Sequence, residues 1–366
     1  MNKQIFKINI EPQNSSVYGT LRLIADVDCE TVKSVEPIIG YSHRGLEKTA
    51  ETKTYLQYLP ITNQIDFLSG FMCQEAFCSA VEKLCNIQVP QNAQYTRVLL
   101  MELNRISSHL FWLGEYLKNL GMSAFYSFKE REMILKIFDE ITGQKMLFDL
   151  HTFGGIKKAL SAKNLSDTEE FLAIFINKLD EYEKVLTDNP IFKSKTQKLG
   201  ILSKNTALTY SITGANLRAS GIKTDFRKAN PYLSYAELDF DTPTETSGDC
   251  YSRYLIRMAE MRQSVKIAKQ CVDYLKKDNQ NYCAENINAD TLPPEKGTAV
   301  SLVESSRGLI CCTVISDGSE KPFRVKWRTG SFYSAQVLSE LLKGRFISDI
   351  TTIVGSLDIL MSEADR

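Results

Sequence analysis

The chain has 366 residues, 43% hydrophobic and 24% charged, with 44 basic against 44 acidic side chains and a formal net charge of zero. That is globular composition, long enough for a sizeable core, and the missing cationic excess argues against nucleic acid as the main partner. No run approaches the roughly 20 apolar residues of a membrane helix, and MNKQIFKINI has neither a secretory nor a transit pattern, so a soluble polypeptide is expected.

Residues 4–35 alternate apolar and polar as strands do: IFKINI is one, and YGTLRLIADVD with ETVKSVEP reads as a hairpin. From about Leu68 the period lengthens, and Phe71, Met72, Ala76, Ala80 and Leu84 fit a helix that Pro90 stops. The clearest signal follows in Leu99, Leu103, Ile106, Leu110, Leu113 and Leu117, a bundle-type stripe ending at Gly121. Further helices are predicted over 128–142, 166–187 and 251–275. A polar loop then leads into strands TAVSLVES, GLICCTVIS and FRVKWRTGSF, with SRG and SDGSEKP as hairpin turns. A helix near 334–343 and the apolar run ITTIVGSLDIL close the chain. The pattern gives an α+β fold, a central helical bundle between N-terminal and C-terminal antiparallel β regions, divided as 1–65, 66–276 and 277–366.

The nine cysteines include no C-x-x-C, and His43, His109 and His151 are scattered, so no zinc or iron–sulfur site is expected and the thiols read as buried and reduced. No phosphate-binding loop, dinucleotide fingerprint, H-E-x-x-H or G-x-S-x-G occurs. Polar density is concentrated instead in the loop Gly40-Tyr41-Ser42-His43-Arg44-Gly45, where two glycines flank groups able to hold an anion or donate near a redox centre, although a His-Arg pair in a loop is also ordinary surface. His109 falls inside the helical stripe and reads as a satisfied bundle histidine, and His151 precedes a Gly154-Gly155 turn. Arg218, Arg227, Lys228, Arg253 and Arg257 stand among Asp225, Glu237, Asp239, Asp241 and Asp249, an interleaving that predicts structural ion pairs.

Longer motifs carry a resemblance. GYSHRGLEKTAETKTYLQYLPITNQIDFLSG, AVEKLCNIQVPQNAQYTRVLLMELNRISSHLFWLG, SGIKTDFRKANPYLSYAELDFDTP, GDCYSRYLIRMAEMRQS, SDGSEKPFRVKWRTGSF and GSLDILMSEADR follow, in order, the pattern of one family. The chain resembles the 49-kDa (D-type) subunit of respiratory complex I, the NADH:quinone oxidoreductase, which is related to the large subunit of nickel–iron hydrogenases. The stretches corresponding to the hydrogenase metal ligands, GYSHRGLEK and DILMSEADR, hold no cysteine here, so a nickel site is excluded for want of thiolates.

The resemblance implies that the old metal cavity is the inner end of a quinone chamber, with quinone as substrate and no cofactor bound by this chain. The opposite wall would belong to a small subunit carrying a 4Fe–4S cluster. Other implied partners are a 30-kDa-type subunit, further hydrophilic-arm subunits and a membrane-arm subunit at the quinone entrance. The implied location is peripheral, on the cytoplasmic face of a bacterial inner membrane or the matrix face of a mitochondrial one. By the same resemblance, His43 and Arg44 would lie near the cluster, with Arg44 a fixed charge favouring its reduced form, and Asp66 would stand at the chamber.

Five positions depart from the family pattern. Asn14 and Tyr18 replace two histidines, one of which donates to the quinone; Phe67 replaces a headgroup-donating tyrosine; Ala159 replaces an acidic residue; and Ile38 replaces a further histidine. Phenylalanine and alanine donate nothing, while Tyr18 retains one O–H whose ordinary pKa is about 10. Two functions remain open at this point: a quinone-reducing subunit with a rebuilt pocket, or a scaffold of a complex I-like assembly whose pocket has degenerated.

Overall fold

Alternation along the first segment folds as an antiparallel sheet of β1 (Ile5–Ile10), β2 (Arg22–Asp28) and β3 (Thr31–Ile38), in that order. The computed structural model describes residues 5–10, 16–123, 125–277, 281–284 and 294–366. Strand β2 buries Leu23, Ala25 and Val27 on one face, whereas β1 is exposed along nearly its whole length as the sheet edge. Two short helices, α1 (Leu46–Ala50) and α2 (Tyr55–Tyr58), lead into the bundle.

The bundle is built from α3 (Gly70–Leu84), α4 (Gln91–Asn119), α5 (Phe125–Thr142), α6 (Ala162–Leu186) and, later in the chain, α11 (Cys250–Leu275). Helix α4 starts after Pro90 and is released by Gly121 at φ +71°. It packs against α3, α5 and α11 at once, so its leucine stripe is buried and so is its polar side, including Arg97, Glu102, Arg105 and His109. In a 29-residue helix surrounded in this way a buried charge is costly without a partner inside the protein, which sets the logic of the site. Helix α6 opens on a reciprocal cap: Asn164 N–H donates to Ser161 Oγ (3.1 Å) and Ser161 N–H to Asn164 Oδ1 (3.0 Å).

Between α5 and α6 a turn of Phe153 and Gly154 joins β4 (His151–Thr152) to β5 (Gly155–Ile156), so Gly155, expected in the turn, opens the second strand. The stretch between α6 and α11, unassigned by periodicity, holds short helices α7 (Pro190–Thr196), α8 (Lys204–Thr209), α9 (Gly214–Ala219) and α10 (Phe226–Ala229). The second sheet is β6 (Gly297–Ser305), β7 (Gly308–Ser316) and β8 (Arg324–Arg328), antiparallel in sequence order and packed on α3. The single helix expected near 334–343 is two, α12 (Gly330–Gln336) and α13 (Leu338–Leu341), and the closing apolar run is α14 (Ile350–Ser356) followed by an extended link and α15 (Met361–Asp365).

The larger core joins the bundle to Val303, Ile310, Val314, Val325 and Trp327 of the second sheet. The smaller joins the first sheet to α13, α14 and the chain end, with Val17, Leu23, Val32, Leu338, Ile353 and Met361 in one cluster. The α+β class is therefore observed, and the first sheet meets the C-terminal segment. Among the described residues no helix is long and apolar enough to cross a membrane. No cysteine among them is disulfide-bonded; Cys73, Cys78, Cys250, Cys271 and Cys312 are buried as expected, but Cys85, Cys283 and Cys311 are half-buried and Cys29 is exposed at the β2–β3 turn.

Candidate functional site

The glycine-flanked loop is tied down by the other end of the chain. Asp365 accepts from Gly40 N–H and Ser42 N–H through its two carboxylate oxygens, each at 2.8 Å. His43 Nδ1 lies 2.7 Å from the Asp365 carbonyl, which can only accept, so Nδ1 carries the hydrogen. Arg44 donates to the Gln64 carbonyl, and both His43 and Arg44 keep exposed surface. Glu47, in the first turn of α1, accepts from Trp327 N–H (3.0 Å) and pairs with Lys326 (3.0 Å) and Arg366 (3.3 Å), binding the loop to β8 and the C-terminus. A cavity of about 310 Å³ opens there, lined by His43, Glu47, Arg324, Lys326, Asp365 and Arg366. The roomier clefts, about 490 and 420 Å³, lie on the α4–α6 surface and beside Glu82 and Tyr232, away from this chemistry.

Asp66 is fully buried just before α3, where its Oδ1 accepts the backbone N–H groups of Leu68 and Ser69, both at 3.0 Å. Its countercharge is Arg307, whose Nη1 reaches Oδ1 at 3.1 Å and Oδ2 at 2.9 Å. Arg307 is one of two residues in the β6–β7 turn, expected as a hairpin turn; the structure buries it, side chain 1% exposed. Neighbouring glycines explain how the turn reaches inside. A Cβ on Gly330 would stand 2.2 Å from the Arg307 carbonyl oxygen, and Gly308, at φ +118°, packs on Thr213, whose Oγ would be 2.5 Å from its Cβ.

Arg307 Nη2 is ion-paired at 3.3 Å with Asp358, a buried aspartate held at φ +58° in the link after α14. Tyr18 is clamped to that link: its N–H donates to Ile359 O (3.1 Å) and its carbonyl accepts from Met361 N–H (2.8 Å). Its ring lies 5.0 Å from that of Phe111. Tyr18 is half-buried as a residue, but burial of its hydroxyl and the nearby Asp358 charge hold that group well above the ordinary tyrosine value, so it stays protonated at neutral pH. Glu363 accepts from Gly330 N–H (3.0 Å) and from the Ser331 hydroxyl; burial and the Asp66 charge, opposed by Arg307, push its carboxyl up to about 7.

Tyr18 and Asp66 therefore converge on one buried group that also contains Arg307, Asp358 and Glu363, three residues that sequence reasoning did not single out. Two of them stand in GSLDILMSEADR, so the motif was visible and the roles were not. Phe67 follows Asp66 and is half-buried. Ile38 ends β3, paired with Arg22, and Ala159 follows the β4–β5 hairpin; among the described residues no polar or ring contact joins either to this group. Asn14 lies outside the described residues. No group of three or more histidine, cysteine or acidic side chains among the described residues is placed to hold a metal.

Ion-pair networks do form behind the site, with Asp225 among the partners as expected and Glu102, Glu260 and Glu304 as partners that were not. Arg227 pairs with Asp225 (2.6 Å) and Glu102 (3.1 Å), and Arg218 with Glu260 (2.6 Å) and Glu304 (2.8 Å). Arg253 and Arg257, predicted in ion pairs, instead serve backbone and rings: Arg253 donates to Gly200 O and Gly248 O, and Arg257 lies over Trp112 at 4.3 Å. Glu237, Asp239 and Asp241 are exposed, with Asp239 pairing Lys266. They join no buried network because the nearer buried arginines are already matched by carboxylates from α4, α11 and β6. His109 is a bundle histidine as expected, its Nε2 3.0 Å from Glu260, and burial lowers its pKa so the neutral ring donates to that carboxylate.

Comparison with known proteins gives the family. A family model described as respiratory-chain NADH dehydrogenase, 49 Kd subunit, matches residues 121–295 and 283–366. The D subunit of the NADH-quinone oxidoreductase of Geobacillus thermodenitrificans is 40% identical, with 98% of each chain covered. That of Bacillus cytotoxicus is 39% identical with the same coverage, and the second D subunit of the Chloroflexus aurantiacus oxidoreductase is 39% identical over 98% of this chain and 94% of its own. The chain belongs to the family of the 49-kDa, D-type subunit of the respiratory-chain NADH dehydrogenase.

Proposed function

We infer that this chain is a core hydrophilic-arm subunit of a proton-translocating NADH:quinone oxidoreductase. With a 4Fe–4S-carrying small subunit, it forms the place where electrons leave the terminal cluster for quinone. The observation that carries this reading is the meeting of Tyr18, Asp66, Arg307, Asp358 and Glu363 in one buried charged group beneath the His43–Arg44 loop, with family membership over nearly the whole chain. The exposed cation of Arg44 favours a reduced cluster opposite it. Tyr18 supplies a hydroxyl that stays protonated and donates to a headgroup oxygen without itself cycling as an acid. Further hydrophilic-arm subunits, the 30-kDa-type among them, and a membrane-arm subunit at the quinone entrance complete the assembly, peripheral on the cytoplasmic or matrix face.

The test is inhibitor-sensitive quinone reduction by the isolated complex, native against Tyr18→Phe and Phe67→Tyr. A neutral hydrogen bond contributes about 0.5–1.5 kcal/mol, so Tyr18→Phe is expected to lower kcat/KM for quinone by roughly 2- to 12-fold, and Phe67→Tyr to raise it. A native complex that reduces its cluster and never any quinone would make the chain a scaffold.

A further inference from the structure

Arg307 is the one member of the buried group whose hydrogen-bonding capacity is half used. Its Nη1 is committed to Asp66, with Ser69 Oγ at 3.4 Å. Among the described residues its Nε and Nη2 donate no hydrogen bond, although the side chain is only 1% exposed. Asp358 is the matching half: 1% exposed, it accepts no hydrogen bond from them at either oxygen, and it meets Nη2 only in the off-axis ion contact at 3.3 Å. A buried cation with free N–H groups and a buried carboxylate with free lone pairs are each costly unless a further partner completes them. The Nε–Nη2 edge is also the side on which a guanidinium makes a two-pronged contact with an oxygen-bearing ligand.

The neighbours indicate which ligand. Tyr18 is clamped to Ile359 and Met361, just after Asp358, and Phe67 follows the Asp66 that holds Arg307. Both are half-buried, and the Tyr18 hydroxyl is near enough to Arg307 to interact with its charge, so of these two side chains one carries a hydroxyl and the other donates nothing. A headgroup there lacks the donor that a tyrosine at 67 would give.

Resting on the reading of this chamber as a quinone site, we propose that the Nε–Nη2 edge of Arg307 donates to the headgroup oxygen that gains negative charge on reduction, in competition with Asp358. No proton leaves the guanidinium. Burial alone would lower its pKa, but the Asp358 and Asp66 carboxylates outweigh burial and hold it above the ordinary arginine value. Arg307 thereby takes the place of a neutral donor and, being charged, favours the reduced over the oxidised headgroup.

The experiment uses membranes carrying the complete complex, native, Arg307→Lys and Asp358→Asn. It reads subunit content, NADH-driven reduction of ferricyanide, and kcat and KM for a short-tailed quinone. Lysine keeps the charge and loses the planar edge, so Arg307→Lys is expected to cut kcat/KM for quinone by about 12- to 160-fold, the span of one charge-assisted hydrogen bond, at unchanged ferricyanide rate per complex. Asp358→Asn removes the competing charge and is expected to lower the quinone KM about threefold. A merely structural ion pair would make both variants worse, and opposite signs would not arise. Quinone kinetics of Arg307→Lys equal to native would overturn the proposal. Should that variant fail to accumulate, Asp358→Asn decides: a lower KM supports the proposal, and an equal or higher one overturns it. A native complex active with ferricyanide and inert toward quinone would overturn the quinone-site reading, and this inference with it.

Discussion

Arg97→Met tests whether the buried charges around α4 hold the fold. Arg97 is wholly buried and donates to Glu82 (2.7 and 3.1 Å), Glu75 (3.2 Å), Thr152 O (2.8 Å) and Gly155 O (2.8 and 3.2 Å), so one side chain joins α3 and α4 to the β4–β5 hairpin. Methionine fills comparable volume but strands two carboxylates and two carbonyls. Breaking a buried pair by removing one partner costs about 3–5 kcal/mol. With an unfolding entropy of about 2.1 cal/mol/K per residue, that corresponds to a melting temperature about 4–7 °C lower for a chain of this length. The measurement is thermal loss of the subunit from the purified complex. The matched control is Glu75→Gln. Burial pushes the Glu75 carboxyl up to about 7 from an ordinary 4.5, with the Arg97 charge offsetting only part of the shift. Between about 4.5 and 7 the folded chain retains a proton that the unfolded chain has released, so this group's contribution to stability falls as pH rises through that window and stays lower above it. Glu75→Gln should therefore be neutral or stabilising at pH 8, and Arg97→Met destabilising. Melting of Arg97→Met within a degree of native would refute the reasoning, because it would mean that water or rearrangement satisfies the stranded groups at no cost.

Arg44→Ala should lower the potential of the neighbouring cluster by on the order of tens of millivolts, read by redox titration, with assembly intact because the side chain is exposed and its hydrogen bond goes to a single backbone carbonyl. Loss of the complex from the membrane would make Arg44 structural instead. Gly330→Ala forces a Cβ to within 2.2 Å of the Arg307 carbonyl and should cost about 1–3 kcal/mol while lowering quinone turnover, checked by thermal melting and kinetics together. Glu102→Gln should destabilise by about 3–5 kcal/mol at neutral pH, since Glu102 is the carboxylate of Arg105 and Arg227. Burial opposes ionisation of Glu102, but those two cations hold it down at about 2, so its contribution is present above 4.5 and lost as pH falls toward 2. The stability gap between native and variant should close over that range of an acid titration.

Periodicity carries the long elements because a 3.6 or 2.0 repeat survives whatever surrounds it. The stripe from Leu99 to Leu117 and the alternation of Leu23, Ala25 and Val27 both come from repeats of that kind. It does not carry α7 to α10, which are too short for a repeat and are held by caps such as Ser203 and Asn189. Nor does it show that the polar face of α4 is inside: Glu102 and Arg105 look like a solvated face in one dimension, and their partners lie far off in sequence at Arg227, Tyr235 and Glu304.

The site follows the same division. The His43–Arg44 loop is legible because glycines and charges stand together in the chain, and Asp66 and Tyr18 are legible only through the resemblance. Arg307 is legible through neither. A two-residue turn between strands is the commonest surface feature of a sheet, and an arginine in it carries no local mark of burial. What brings it inside is a fit among four distant segments: Gly330 leaves room for its carbonyl, Gly308 packs on Thr213, and Asp66 and Asp358 both pair with its guanidinium. Each glycine is replaceable in sequence terms and irreplaceable in contact terms. Substitutions at Gly308 or Gly330 should therefore act on quinone chemistry from outside the headgroup's reach, through the position of one turn.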